Sequence, residues 1–213
     1  MLSLESRSGT LALCFSALAG YVDAVGFIKL GGFFVSSVIA DVTRMGVSFA
    51  QGSTLAGIAA LLIGAFVVGV MVGSVIGAKM PGQRQPAVLA MVAMLLVLAA
   101  GTAVAGWLLC TGAIMALAMG GLNAVFEEDD QLYFGSIFMT GTLVKLGEEI
   151  AQPTGRGFGW VPYLMLWLAL VAGATIGALV CGVLSFGALW IAAVFAGLLA
   201  AFTASVKGHQ ESL

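Results

Sequence analysis

Apolar residues fall in long blocks, and the blocks recur in the same order along the two halves of the chain. A helix that crosses a bilayer needs about 20 mostly apolar residues. Runs at 10–28, 55–78, 87–109, 163–184 and 187–206 approach that length, and a shorter one occupies 113–126. Two further runs, 33–50 and 133–151, are interrupted by charge, the first by Asp41 and Arg44 and the second by Lys145 and Glu149. Punctuation separates the blocks. Lys29 and Gly31-Gly32 end the first run, 79–86 reads as a loop with two prolines and two cations, Cys110-Thr111-Gly112 reads as a short joint, and 152–162 is rich in Gly and Pro. The pattern predicts an all-α chain without strands.

The recurrence extends to individual residues. Gly20, Asp23, Ala24 and Val25 open a stretch that closes on Arg44-Met45-Gly46. Gly120, Asn123, Ala124 and Val125 open one that closes on Lys145-Leu146-Gly147. An internal repeat of 10–109 and 113–206 follows, within one membrane domain covering 1–213. Gly69, Gly73 and Gly77 stand four apart, as do Gly173 and Gly177 with Cys181 at the next step. That spacing lines small residues along one helix face, where another backbone can approach closely.

Composition turns this pattern into a membrane protein. Apolar residues make up 61% of the chain and charged residues 8%, against roughly 25% in an average soluble protein, too few to coat a soluble surface. The net charge of −2 without a basic stripe excludes nucleic acid as a partner. The first run continues into Gly-Tyr-Val-Asp without a small-residue cleavage site, so it is expected to be the first span rather than a removed leader. Cys14, Cys110 and Cys181 sit singly in apolar surroundings and are read as small apolar residues.

Loop charge selects the topology. With six spans and a cytoplasmic N-terminus, Arg7, Lys79, Arg84, Arg156 and Lys207 all fall on the cytoplasmic side, as the positive-inside rule favours. If all eight runs crossed, some of these cations would be exported. The expected architecture is therefore six transmembrane helices as two three-helix inverted repeats, plus a broken or re-entrant segment in each half; eight spans is the alternative.

Candidate chemistry lies where charge enters membrane depth, which costs roughly 2.5–3.5 kcal/mol at a helix centre on insertion scales. Asp41 and Arg44 are three apart and Lys145 and Glu149 four apart, so each pair can meet on a helix. Gly141, between Thr140 and Thr142, would let the backbone leave the helix and expose groups to a solute. Asp23 stands where the other copy has the neutral amide Asn123, which makes it a candidate for proton coupling. Matching polar interruptions in two halves are a pointer to a transporter site. The candidate substrate or proton pathway is thus Asp23, Asp41, Arg44, Asn123, Thr140, Gly141, Thr142, Lys145 and Glu149; the candidate packing residues are Gly69, Gly73, Gly77, Gly173 and Gly177. The acids at 127–130 read as a solvated loop. Absence of a phosphate loop, Cys/His cluster or nucleophile elbow predicts no cofactor or metal and disfavours an enzyme.

Ala19-Gly20-Tyr21-Val22-Asp23-Ala24 with Phe34-Val35-Ser36, and Gly121-Leu122-Asn123-Ala124-Val125-Phe126 with Met139-Thr140-Gly141-Thr142-Leu143, resemble the two halves of the YoaK-like bacterial inner-membrane proteins. The resemblance covers nearly the whole chain. It implies six spans and a domain of unknown function in the inner membrane. The chain departs from that pattern at Ile39-Ala40-Asp41, where the family usually shows Thr-Gly-Asn, and this leaves Thr140-Gly141-Thr142 as the better-matched motif. The expected function is a small-solute secondary transporter or permease, proton-coupled, with termini in the cytoplasm. The alternative is a non-transporting membrane scaffold or partner subunit. The expected partners are the bilayer, an unknown small solute and a second copy of the chain, since glycine seams also serve dimers.

Overall fold

The computed structural model describes residues 7–126, 138–152 and 159–210, and all regular elements within them are helical. They are α1 (Arg7–Lys29), α2 (Val38–Ala50), α3 (Leu55–Lys79), α4 (Arg84–Val104), α5 (Leu108–Asn123), α6 (Phe138–Ala151), α7 (Val161–Leu184) and α8 (Ala188–Gln210), with short 3₁₀ turns before α4, after α5 and before α8. Four stretches are long and apolar enough to cross a membrane: Gly9–Lys29, Leu55–Lys79, Arg84–Val104 and Val161–Ser205. Val161–Ser205 is divided between α7 and α8 by a turn, in which Ser185 takes a φ of 54°. Leu108–Asn123 is a shorter apolar helix. The protein is a polytopic helical membrane protein.

Two boundaries differ from the sequence expectation. The joint between α4 and α5 lies at 105–107, around Gly106 at φ 79°, and not at Cys110-Thr111-Gly112, which are inside α5. The apolar run continues straight through Gly106, so hydropathy carries no mark of the reversal. The loop expected over 79–86 is also shorter, because α4 starts at Arg84.

Glycines set the helix packing. A Cβ built on Gly173 would sit 2.0 Å from the Ala17 carbonyl, and one on Gly177 would sit 2.5 Å from the Tyr21 carbonyl. Gly20 of α1 faces Leu170 in the same way. Hence α1 and α7 touch backbone to backbone and run in the same direction. The pair α3 and α5 repeats the arrangement, with Gly69 on Leu117, Gly73 on Gly121 and Gly120 on Phe66. Gly77 differs: it accommodates the Arg84 side chain rather than a helix backbone. In the opposite sense, Gly26 of α1 meets Met115 and Leu30 meets Gly112 of α5, so α1 and α5 are antiparallel. The first helix of each half thus lies along the third element of the other, and α4 packs against α8 across the centre.

Small residues allow this because apolar side chains gain little from leaving lipid; close van der Waals contact is what associates membrane helices. Overpacking typically costs 1–3 kcal/mol. Gly173→Ala and Gly69→Ala are each expected to destabilise by about 1–3 kcal/mol in thermal or SDS-titrated unfolding, whereas Gly182→Ala and Gly197→Ala, whose Cβ positions meet nothing within 4 Å, are expected to cause no loss.

Candidate functional site

The segment 30–37 is non-helical, yet it lies back along α1. The Gly32 N–H donates to the Phe27 carbonyl at 2.7 Å, the Phe34 ring stands 5.0 Å from the Phe27 ring, and Val35 packs on Gly26. The chain reverses at Gly31 and Gly32, at φ 71° and 88°, conformations that glycine adopts without steric cost. After Ser36 and Ser37 it turns again into α2, which returns beside the segment just laid down. The two arms form a hairpin over 31–50.

Three side chains satisfy its exposed backbone. Asp23 of α1, buried at 6% exposure, accepts from Val35 N–H at 2.9 Å, Ser36 N–H at 2.7 Å and Ser36 Oγ at 2.5 Å. Asp41, at 1% exposure, accepts from Phe34 N–H at 3.2 Å. Arg44 donates to the carbonyls of Gly31, at 2.7 Å, and Gly32, and its guanidinium lies 4.2 Å from the Phe33 ring centre. Asp41 and Arg44 therefore spend these bonds on the hairpin rather than on each other, because the freed amide and carbonyls of 31–34 compete for them at close range.

The orientation of α2 is the reverse of a soluble surface helix. Asp41 and Ser48 are buried and Arg44 is half-buried, while Ile39, Val42, Val47 and Phe49 are exposed, Ile39 and Phe49 at 66%. A polar face turned inward and an apolar face turned outward suit a hydrocarbon surrounding.

The second copy is arranged differently. Thr140-Gly141-Thr142 lies inside the first turns of α6 and does not break the helix as expected; a glycine near a helix start costs little. Thr140 is exposed, and Gly141 and Thr142 are half-buried. Lys145 bonds Glu148 at 2.9 Å, the exposed neighbour three residues on, where the sequence suggested Glu149. Glu148 beside it raises the Lys145 ammonium above its ordinary range. Glu149 is turned toward Gly159 ahead of α7. The Asn123 amide donates to the Met119 carbonyl of its own helix at 2.8 Å. From the α1–α5 register, Asp23 and Asn123 stand about five residues apart in height, roughly 7–8 Å at 1.5 Å per residue, and are not partners. The acids at 127–130 lie outside the described residues. The structure brings Asp23, Asp41 and Arg44 together around 31–37, while the α6 candidates pack toward α7 and Asn123 stays on α5, bonded within its own helix.

Several polar anchors were not foreseen. Arg84, expected as a loop cation, is buried at 7% exposure and donates through Nε and an Nη to the Ala124 carbonyl, at 3.1 and 2.9 Å, closing the end of α5. Lys29 donates to Ser185 Oγ at 2.7 Å across the α7–α8 turn. Ser16 and Tyr21 reach the carbonyls of Leu166 and Ala188. For Ser16 and Tyr21 the only sequence signal is a polar atom within an apolar run.

The sequence pattern described as "Protein of unknown function (DUF1275)" matches residues 11–202. The chain is also 34% identical over 209 residues to the UPF0700 transmembrane protein RA0705 of Rhizobium meliloti (strain 1021), covering 95% of this chain and 88% of that protein. No solved structure matches. Leaving a buried acceptor unpartnered costs about 1–3 kcal/mol. Arg84→Ala, which strips the buried Ala124 carbonyl of its donors, is expected to lose that amount in unfolding measurements. Arg44→Ala, whose acceptors on Gly31 and Gly32 are exposed and half-buried, is expected to lose less, and Arg44→Lys to recover only part of that loss, since one ammonium reproduces the two-pronged contact poorly.

Proposed function

Because the chain belongs to the DUF1275 family of transmembrane proteins, we propose that it is a six-span, proton-coupled secondary transporter or permease for a small solute in a bacterial inner membrane. The spans are α1, α3, α4, α5, α7 and α8, with α2 and α6 as the re-entrant helices of two inverted repeats. The observation that carries this reading is the reversed amphipathicity of α2, which places Asp41, Arg44 and Ser48 on the protein side of a helix whose other face is apolar. Buried charge at membrane depth is retained where it lines a path or a binding site. The opposed directions of α1 and α5, and the exchange of packing partners between halves, support the inverted repeat. Such repeats build transporters whose sites lie beside discontinuous segments.

In this reading the halves divide the work. Asp23 takes the proton, and the hydroxyls of Thr140 and Thr142 with Asn123 contact the solute. Six spans put Arg7, Lys79 and Lys207 on one side of the bilayer, and the positive-inside rule favours the cytoplasm for that side and for the termini.

A second reading, a scaffold or partner subunit, is favoured by one observation. The carboxylates of Asp23 and Asp41 and the guanidinium of Arg44 all bind the protein's own backbone. A thermal-shift screen of small solutes on purified protein, repeated across pH, separates the two. A ligand that binds the folded state at 100 times its Kd raises apparent stability by about 2.7 kcal/mol. The transporter reading predicts such a solute, with the shift lost in Asn123→Ala or Thr140→Ala and solute flux in proteoliposomes. Absence of any shift and of flux across the screen would favour the scaffold.

A further inference from the structure

We propose that residues 31–50 move as one pre-stapled hairpin against α1, and that the latch holding it is a proton-binding site, the Asp23 carboxylate. The proposal rests on the transporter reading for its use, but its geometry stands alone.

The hairpin is held together internally. Asp41 to Phe34 N–H, Arg44 to the Gly31 and Gly32 carbonyls, and Arg44 over Phe33 all run between its two arms. Both ends carry glycines of positive φ, Gly31 and Gly32 on the α1 side and Gly52, at 65°, on the α3 side. Chain ends of this kind accommodate large backbone changes.

Its link to α1 is of another character. Beyond the hinge bonds near Gly32, the polar contacts described run to Asp23: the amides of Val35 and Ser36, the Ser36 hydroxyl and the Ser37 side chain. The remaining contacts, such as Phe27 on Phe34 and Val35 on Gly26, are apolar. These contacts, and the packing of α2 on α3, carry no titratable group, so Asp23 is the one ionisable link described between the Val35–Ser36 tip and α1.

Protonation changes that carboxylate's role. Ionised, it only accepts hydrogen bonds, and such charge-assisted bonds are roughly twice as strong as neutral ones. When a proton from water binds one oxygen, that oxygen becomes a donor. The Ser36 hydroxyl must then rotate to accept, and the two amides lose their charged partner. A lifted Val35–Ser36 tip needs water for its amides, so release opens a wet path beside α1. The charged groups facing Asp23 from α2 are Asp41 and, beyond it, Arg44. Lys29 of α1 is engaged by Ser185, and Cys181 of α7 faces Tyr21.

The test is a spin-label distance between Gly46→Cys in α2 and Gly182→Cys in α7, sites where a Cβ meets nothing within 4 Å. Cys14, Cys110 and Cys181 are replaced, and the protein is placed in liposomes at pH 8 and pH 5. The expected result is one distance population at pH 8 and a second, shifted population at pH 5. Asp23→Asn should show the second population at both pH values, and Asp41→Asn should keep the pH response. Should Asp23→Asn not fold, Ser36→Ala, which removes one donor and keeps the acid, should show the second population already at pH 8. An unchanged distance between pH 8 and 5, or a full pH response in Asp23→Asn, would overturn the latch. Solute flux is measured in the same liposomes. Movement without flux would count against the transporter reading and leave the latch standing; flux without movement would sink the latch alone.

Discussion

A backbone amide or carbonyl inside a bilayer has no water to turn to. That constraint organises the first half of this protein. The non-helical stretch 30–37 lies along α1, and its exposed groups find partners in Asp23, Asp41 and Arg44. Each of these charges would be costly in hydrocarbon by itself. Charge and broken backbone meet each other's hydrogen-bonding needs. The same logic explains why α2 turns its polar side inward and its apolar side outward.

The rest of the packing gives this hairpin a fixed frame. Glycines at 20, 173 and 177 let α1 and α7 meet at the backbone, and those at 69, 73 and 120 do the same for α3 and α5. Buried polar anchors then fix the ends. Arg84 closes the C-terminus of α5 through the Ala124 carbonyl, and Lys29 reaches across the α7–α8 turn to Ser185. The hairpin is joined to this frame by Asp23, by the Gly32–Phe27 bond and by apolar contacts with α1 and α3.

Much of this could be read from residues, and the failures have physical causes. Gly69, Gly73, Gly173 and Gly177 announce themselves because four-residue spacing is helical geometry. Asp23 and Asp41 stand out because charge is rare in this chain. Arg84 does not, since a cation between prolines and glycine reads as solvated loop. Gly106 does not, because a reversal inside an unbroken apolar run leaves hydropathy unchanged. Spacing allowed Asp41 to meet Arg44 and Lys145 to meet Glu149, but spacing names only candidates. In the first pair the loop's own backbone competes for the charges, and in the second Lys145 bonds Glu148 instead. Thr140-Gly141-Thr142 resembles a break, yet α6 continues through it, because one glycine in an early turn is tolerated.

The proposed re-entry of 31–50, in at one membrane face and back to the same face, is tested most directly by labelling. With the native cysteines replaced, Leu30→Cys and Gln51→Cys flank the hairpin and can be tested singly in whole cells with a membrane-impermeant maleimide. A re-entrant hairpin predicts that both positions label from the same side, the one opposite the chain termini. Labelling from opposite sides would show that α2 crosses the bilayer and would contradict the account.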